Sequence, residues 1–164
     1  VNAQTVAPVN NDSTQYKYFK TEHVWDAKVK IANVIVLGDS KRGYRQVIPI
    51  TGGTFKGYNI TGEVLPGGED CQTVRPDGDI ELSARYWLKT NDGYIIQVNN
   101  TALMHNYMDG EKKQSYVKSV VDLEAPKNSP YDYLNHAIFI GTLNIPTLAK
   151  GEEPYVVIGV YRIL

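Results

Sequence analysis

Residues 80–100 alternate apolar and polar side chains around a single Asp-Gly, a pattern that folds as an antiparallel β-hairpin. Ile80, Leu82, Ala84, Tyr86 and Leu88 share one parity, while Glu81, Ser83, Arg85, Trp87 and Lys89 share the other. Successive side chains on a strand point to opposite faces, so the first set faces a core and the second faces away. Asn91-Asp92-Gly93 then reverses the chain into residues 94–100, where Ile96 and Val98 oppose Ile95 and Gln97. Asp-Gly provides the positive φ values that a tight hairpin turn needs.

The same punctuation recurs along the chain. Residues 16–24 read as a strand and residues 25–36 as a second strand or a bent continuation; residues 38–43 read as a loop. Residues 44–50 are β-branched and end at Gly52-Gly53, and residues 54–65 form a further strand with Gly57 and Gly62 inside it. Interior glycines weaken a strand unless it bends or another group comes close, so they predict a curved sheet or a bulge. Pro66-Gly67-Gly68 and Pro76-Asp77-Gly78 are turns. Residues 103–110 fit a short helix or a loop, 125–130 a proline-bounded connection and 131–135 one helical turn; strands over 114–123, 137–143 and 155–163 finish the chain. No stretch keeps helical periodicity beyond about two turns. Eight or nine short strands with short connections predict an all-β fold: a single closed antiparallel β-barrel of about eight strands, mostly a meander, with a two-sheet β-sandwich as the alternative. Residues 16–164 form that barrel domain, and residues 1–15 form a polar N-terminal arm.

Composition narrows the partners. The 164 residues are 42% hydrophobic and 21% charged with a net charge of -1, which leaves no bulk positive charge for a nucleic-acid backbone. The pairs Lys41/Arg42 and Lys112/Lys113 are short and read as solvated loop charges. The apolar run Val34-Ile35-Val36-Leu37 is too short for a membrane-spanning helix. Cys71 is alone, so no disulfide forms within the chain, and the compartment stays open on that ground. The Asn- and Thr-rich start at Val1 and three acceptor sequons (Asn11, Asn59 and Asn99) lean towards a secreted or extracellular protein, with a cytoplasmic one as the alternative.

The segment Arg45-Gln46-Val47-Ile48-Pro49-Ile50-Thr51-Gly52-Gly53-Thr54-Phe55-Lys56-Gly57 resembles the opening signature of an uncharacterised family, domain of unknown function 3237. Gly62-Glu63-Val64-Leu65-Pro66-Gly67-Gly68-Glu69-Asp70 resembles that family's most distinctive stretch. Asp77-Gly78, Ala84-Arg85-Tyr86, Asp92-Gly93, Tyr131 with Tyr133-Leu134-Asn135, and Ile138-Phe139-Ile140-Gly141 continue the likeness in order. The resemblance covers the chain from about Trp25 onward. It implies a compact β-barrel akin to the eight-stranded barrels of allene oxide cyclase and dirigent proteins, and it implies no activity. Where the family pattern places tryptophan after Asp70, this chain has Cys71; if that side chain lines a pocket, the pocket is enlarged.

Familiar catalytic constellations are missing. His23, His105 and His136 do not pair at a metal-ligand spacing with one another or with Cys71, so no metal site is expected. No Gly-x-Ser-x-Gly turn is present, and Cys71 reads better as a small buried thiol than as a nucleophile. The glycines at 52–57 and 62–68 lack the following helix and Lys-Ser/Thr pair of a phosphate loop. Attention therefore falls on Asp70, Arg85, Glu63, Gln97 and Asn135. A mid-strand Arg85 turned into a barrel would need a carboxylate, and Asp70 or Glu63 could supply it; on the outer wall it would pair with a neighbouring strand instead. Twelve tyrosines suit a lining for flat ligands, with Tyr58, Tyr86, Tyr94, Tyr131 and Tyr161 as candidates and wall packing or subunit contact as the plainer explanation.

The expectation is a barrel holding a small apolar or aromatic oxygenated metabolite. Asp70 and Arg85 are the catalytic candidates; Glu63, Tyr86, Gln97, Tyr131 and Asn135 are the ligand-binding ones. Cofactor-free isomerisation, cyclisation or lyase chemistry fits, because it needs a shaped cavity and one or two proton-transfer groups. A non-catalytic ligand-binding module is one alternative. A self-assembling surface protein using residues 1–15 is another, and a homo-oligomer is compatible with each.

Overall fold

In the computed structural model, which describes residues 19–164, the alternating segments form ten strands. In chain order they are β1 (Thr21–Ile31), β2 (Ile35–Ser40), β3 (Gly43–Lys56), β4 (Thr61–Val64), β5 (Gly68–Val74), β6 (Ile80–Thr90), β7 (Ile95–Asp109), β8 (Lys112–Glu124), β9 (Phe139–Asn144) and β10 (Tyr155–Ile163). A 3-10 helix, Asp132–His136, lies between β8 and β9. All pairings between these strands are antiparallel.

Ten strands make eight barrel positions because two positions are broken. β1 and β2 run in the same direction along one edge of β3, interrupted at residues 32–34. β4 and β5 share the place between β3 and β6, interrupted at Leu65-Pro66-Gly67. The ring then runs β1, β3, β4/β5, β6, β7, β8, β9, β10 and closes on β1. This is the closed antiparallel meander expected, and the sandwich alternative falls away because no second sheet exists among the described residues.

β3 is the strand that bends. Its first half pairs with β2 and β5, its second with β1 and β4, and the change of partner falls at Gly52 and Gly53, with φ of 140° and 136°. A Cβ on Gly53 would lie well inside van der Waals contact distance of the Lys28 carbonyl oxygen. Glycine therefore permits both the unusual φ and the close strand crossing.

The two ends of the barrel differ. At one end the β3–β4 and β6–β7 turns and the β8–β9 connection gather over a solid core of Trp25, Phe55, Leu88, Ile96, Leu134 and Phe139, each 1% exposed or less. Trp25 and Phe55 meet edge to face with centroids 5.6 Å apart. The 3-10 helix lowers Leu134 onto this core, as the one helical turn anticipated at residues 131–135 would. At the other end stand the β2–β3, β5–β6 and β7–β8 turns and the long β9–β10 loop.

Four local expectations change. Residues 103–110 are neither helix nor loop but the end of β7, paired with β8 from Met104↔Val117 to Asp109↔Lys112. Residues 38–43 form a tight hairpin with strand through Ser40. Residues 54–65 break into β3, a turn at 57–60 that exposes Asn59, and β4. Residues 68–74, bracketed by two turns, form β5. The proposed arm at residues 1–15 lies outside the described residues. Among those residues no helix is long and apolar enough to cross a membrane.

Replacing Gly53 with Ala adds a methyl group at both a strained φ and a close crossing. Overpacking of this kind costs roughly 1–3 kcal/mol, so Gly53→Ala should lower the urea midpoint without changing the slope of the transition, as followed by circular dichroism.

Candidate functional site

The open half of the barrel is hollow. Its cavity, about 170 Å³, compares with apolar protein cavities of roughly 150 Å³ that admit one benzene ring. Val29, Ile50, Leu82, Met104, Val156 and Ile158 supply much of an apolar lining. Into it project five polar side chains from four adjacent strands: Asp70 and Gln72 of β5, Tyr86 of β6, Asn100 of β7 and Ser119 of β8.

Register explains how they meet. Asp70 lies opposite Ala84, and Ala84 lies opposite Asn100, so the acid and the amide face each other across the smallest side chain in the row. Their Cα atoms stand two strand spacings apart, about 10 Å, and the methyl group between them leaves the space open. Tyr86 follows Ala84 on the same face, one step nearer the core. Its place is made by Gly68, where an added Cβ would come 2.6 Å from the Tyr86 Cβ and 2.7 Å from the Arg85 carbonyl oxygen.

The polar atoms here are incompletely paired. Gln46 Nε2 donates to Gln72 Oε1 at 2.6 Å, and Gln72 Nε2 donates to Asp70 Oδ2 at 2.7 Å. Asp70 Oδ1, the Tyr86 hydroxyl and Asn100 Oδ1 are buried with no hydrogen-bond partner. Burial pushes the Asp70 carboxyl above its ordinary value; the hydrogen bond from Gln72 pulls it back in part. Burial alone holds the Tyr86 hydroxyl far above its usual range, so it stays protonated and remains a donor. Such unpaired buried groups are rare in folded proteins and call for an explanation.

The expected site divides. Asp70 and Tyr86 share the cavity. Arg85 does not: it is exposed on the outer wall, opposite Glu69 and Asn99, because the parity that buries Tyr86 turns its neighbour outward. Glu63 is likewise exposed on β4 between Thr54 and Lys89. Gln97 faces out and donates to Glu124 Oε1 at 3.2 Å. Tyr131 and Asn135 sit at the sealed end. The Tyr131 hydroxyl donates to Asp92 Oδ1 at 2.9 Å. Asn135 accepts from the Ala125 N–H at 2.8 Å and donates to the Ala125 carbonyl at 2.9 Å, tying down the β8–β9 connection.

Of the five tyrosines considered, Tyr86 alone reaches the cavity: Tyr58 is 95% exposed, Tyr94 packs on Tyr131 and Tyr161 packs on His23. Cys71 points away from the cavity, between Asp70 and Gln72, so it does not enlarge the pocket; burial, with Glu69 beside it, raises its thiol. Among the described residues no cluster of His, Cys, Asp and Glu is arranged to hold a metal ion. Gln46, Gln72, Ala84 and Asn100 were not anticipated. Asn100 was within reach, since extending the Ile96–Val98 parity by two residues places it inside.

Fold and site together define a small closed barrel whose hollow half carries a half-buried acid with one oxygen out of contact with solvent. The chain belongs to the family described as Protein of unknown function (DUF3237), whose family model matches residues 19–163. A UPF0311 protein of Rhodopseudomonas palustris is 32% identical over 155 residues, 88% of this chain and 97% of that protein. A crystal structure from the same organism, of a conserved protein of unknown function, superposes with a TM-score of 0.77 at 31% identity, covering 90% of this chain and 99% of that one. More distant is the hydroalkoxylation enzyme phnH of Penicillium herquei, 27% identical over 121 residues, 74% of this chain and 72% of that protein. A crystal structure of an enzyme from the same fungus shares the fold, with a TM-score of 0.66 at 22% identity over 89% of this chain and 95% of that one.

A carboxyl whose value is raised by folding stabilises the native state most below its ordinary value of 3.8. That contribution is lost as the pH rises through the raised value. Asp70→Asn should therefore be more stable than the wild type at neutral pH, and the difference should shrink towards zero below pH 3.8. Tyr86→Phe, which removes an unpaired buried hydroxyl, should gain about 1 kcal/mol. Urea unfolding at two pH values measures both.

Proposed function

We propose that this protein binds a small, un-ionised aromatic or apolar oxygenated metabolite in the hollow half of the barrel. Asp70 then transfers a proton in a cofactor-free isomerisation, cyclisation or lyase step. The observation that carries this reading is the set of three buried, unpartnered polar atoms, Asp70 Oδ1, Tyr86 hydroxyl and Asn100 Oδ1, on the wall of an otherwise apolar cavity.

Each atom has a role that follows from its chemistry. Asp70 Oδ1 accepts a proton from a ligand O–H or C–H, and a carboxyl raised by burial exchanges that proton closer to neutral pH than an exposed one. The Tyr86 hydroxyl, held protonated, donates to a ligand oxygen that gains negative charge. Asn100 Oδ1 accepts from a second polar group of the ligand. Among the described residues the cation that borders the cavity is Lys118, at its mouth, with its ammonium over the Tyr116 ring, 5.8 Å from the centroid; Arg85 is outside. A carboxylate ligand would therefore lie against the Asp70 carboxyl with no counter-charge on that wall. The fungal relative is named for hydroalkoxylation, the addition of an O–H group across a double bond; such an addition consists of bond formation and proton relocation, which suits a single buried acid.

Phenol, a one-ring oxygenated probe, should bind the wild-type protein in ligand-observed NMR, and benzoate should not. Affinity for phenol should fall as the pH drops through the raised Asp70 value, because the protonated acid no longer accepts the phenolic proton. Asp70→Asn should abolish that pH dependence, and both it and Tyr86→Phe should weaken phenol by about tenfold, near 1.4 kcal/mol. Equal binding of benzoate, or phenol affinity indifferent to both substitutions, would sink the assignment. A metabolite extract converted by the wild type and left unchanged by Asp70→Asn would identify the substrate.

A further inference from the structure

The two oxygens of Asp70 are not equivalent. An ionised carboxylate only accepts hydrogen bonds, so Gln72 must turn its Nε2–H towards Oδ2. Its Oε1 must then face Gln46, which presents its own Nε2–H. The chain of amides has one direction, ending on Oδ2. When Asp70 gains a proton, Oδ2 still accepts from Gln72, and the proton goes to Oδ1, the oxygen without a protein partner.

We infer that Gln72, held in turn by Gln46, is a positioning residue that makes Oδ1 the single atom through which this cavity takes up and returns a proton. The inference rests on the proposed reading of Asp70 as the proton-transfer group. In the uptake step a substrate O–H or C–H bond breaks, its electron pair stays on the substrate, and the Oδ1–H bond forms. In the return step that bond breaks and the same proton goes to another substrate atom. No co-reactant is required, and both transfers occur on the one face of the ligand turned to β5.

The surroundings of Asp70 are simple enough for its titration to report this. β3 presents Gln46, Ile48 and Ile50; β6 presents Leu82, Ala84 and Tyr86; β7 presents Asn100; the far wall presents Val29, Val156 and Ile158. Tyr86 titrates far above the range concerned. Lys118 borders the mouth, while Arg45, Glu69, Cys71 and Arg85 have outward parity.

The test is a carbon-13 NMR titration of the Asp70 side-chain carboxyl in the full chain. Gln72→Met keeps the volume and removes the donor; the Asp70 midpoint should rise by about one pH unit, and the pH below which phenol affinity falls should move up with it. Gln46→Met, one link further away, should shift the midpoint in the same direction by less and serves if Gln72→Met does not fold. Gln72→Glu, whose carboxylate cannot donate to Oδ2, should shift it upward as well. A midpoint unmoved by the folded variants overturns the positioning role even if phenol binds as expected. Should the midpoints shift as stated while phenol fails to bind wild-type protein, the ligand reading falls and the positioning of Oδ1 stands.

Discussion

The edge-to-face contact of Trp25 with Phe55, backed by Phe139, Leu88, Ile96 and Leu134, is what allows the rest of this barrel to be hollow. A small closed barrel normally fills its interior with side chains. Here the large residues are gathered at one end, where burying each stabilises the fold by about 1.5–3 kcal/mol. The sealed end is strong enough to leave the Trp25 Nε1 buried without a partner. The open end can then carry Ala84, Ala102 and an unfilled cavity without losing closure, because the ring of strands is already fixed from one side.

What occupies the hollow half is more costly than the single unpaired Trp25 N–H of the sealed core. A carboxyl removed from water, a tyrosine hydroxyl with nothing to donate to and an amide oxygen with nothing to accept each carry a desolvation penalty. Methionine, phenylalanine and leucine at those positions would serve the fold better. The penalty is concentrated in one row and its neighbour, Asp70–Ala84–Asn100 and Tyr86, while the polar residues of the outer wall are solvated or paired. Three of the five unpaired buried side-chain atoms among the described residues line this one cavity, the others being Trp25 Nε1 and Arg162 Nε; that concentration is the pattern of a binding site, where a ligand supplies the missing partners.

The fold was legible wherever parity and turn chemistry agreed. The Asp92-Gly93 hairpin, the alternation of β6 and the closure into a meander all follow from residues that obey one rule at a time. β5 was hidden because its seven residues carry Glu, Asp, Cys, Gln and Thr, which do not read as a buried strand. With β5 unread, Asp70 had no assigned face and Gln72 no reason to stand out. Arg85 was the opposite case. Its own strand groups it with Glu81, Ser83 and Lys89, and that parity, rather than a pairing with Asp70 or Glu63, decides its direction. Tyr131 and Asn135 carried no such signal, since residues outside strands have no period from which a direction can be read.

β5 also shows how closely this site depends on register. A shift of one residue along its partners would turn Glu69, Cys71 and Thr73 inward and send Asp70 and Gln72 to the surface. Two contacts oppose that shift. Gly68 fits against Tyr86 and the Arg85 carbonyl where any Cβ would collide, so no other β5 residue can take that place without displacing the tyrosine. The hydrogen bond from the Gln46 amide to the Gln72 amide joins β5 to β3 from inside the barrel and exists only in this alignment. The residues that orient the acid are therefore the same ones that keep its strand in register, so the chemistry of the cavity and the pairing of the wall constrain each other.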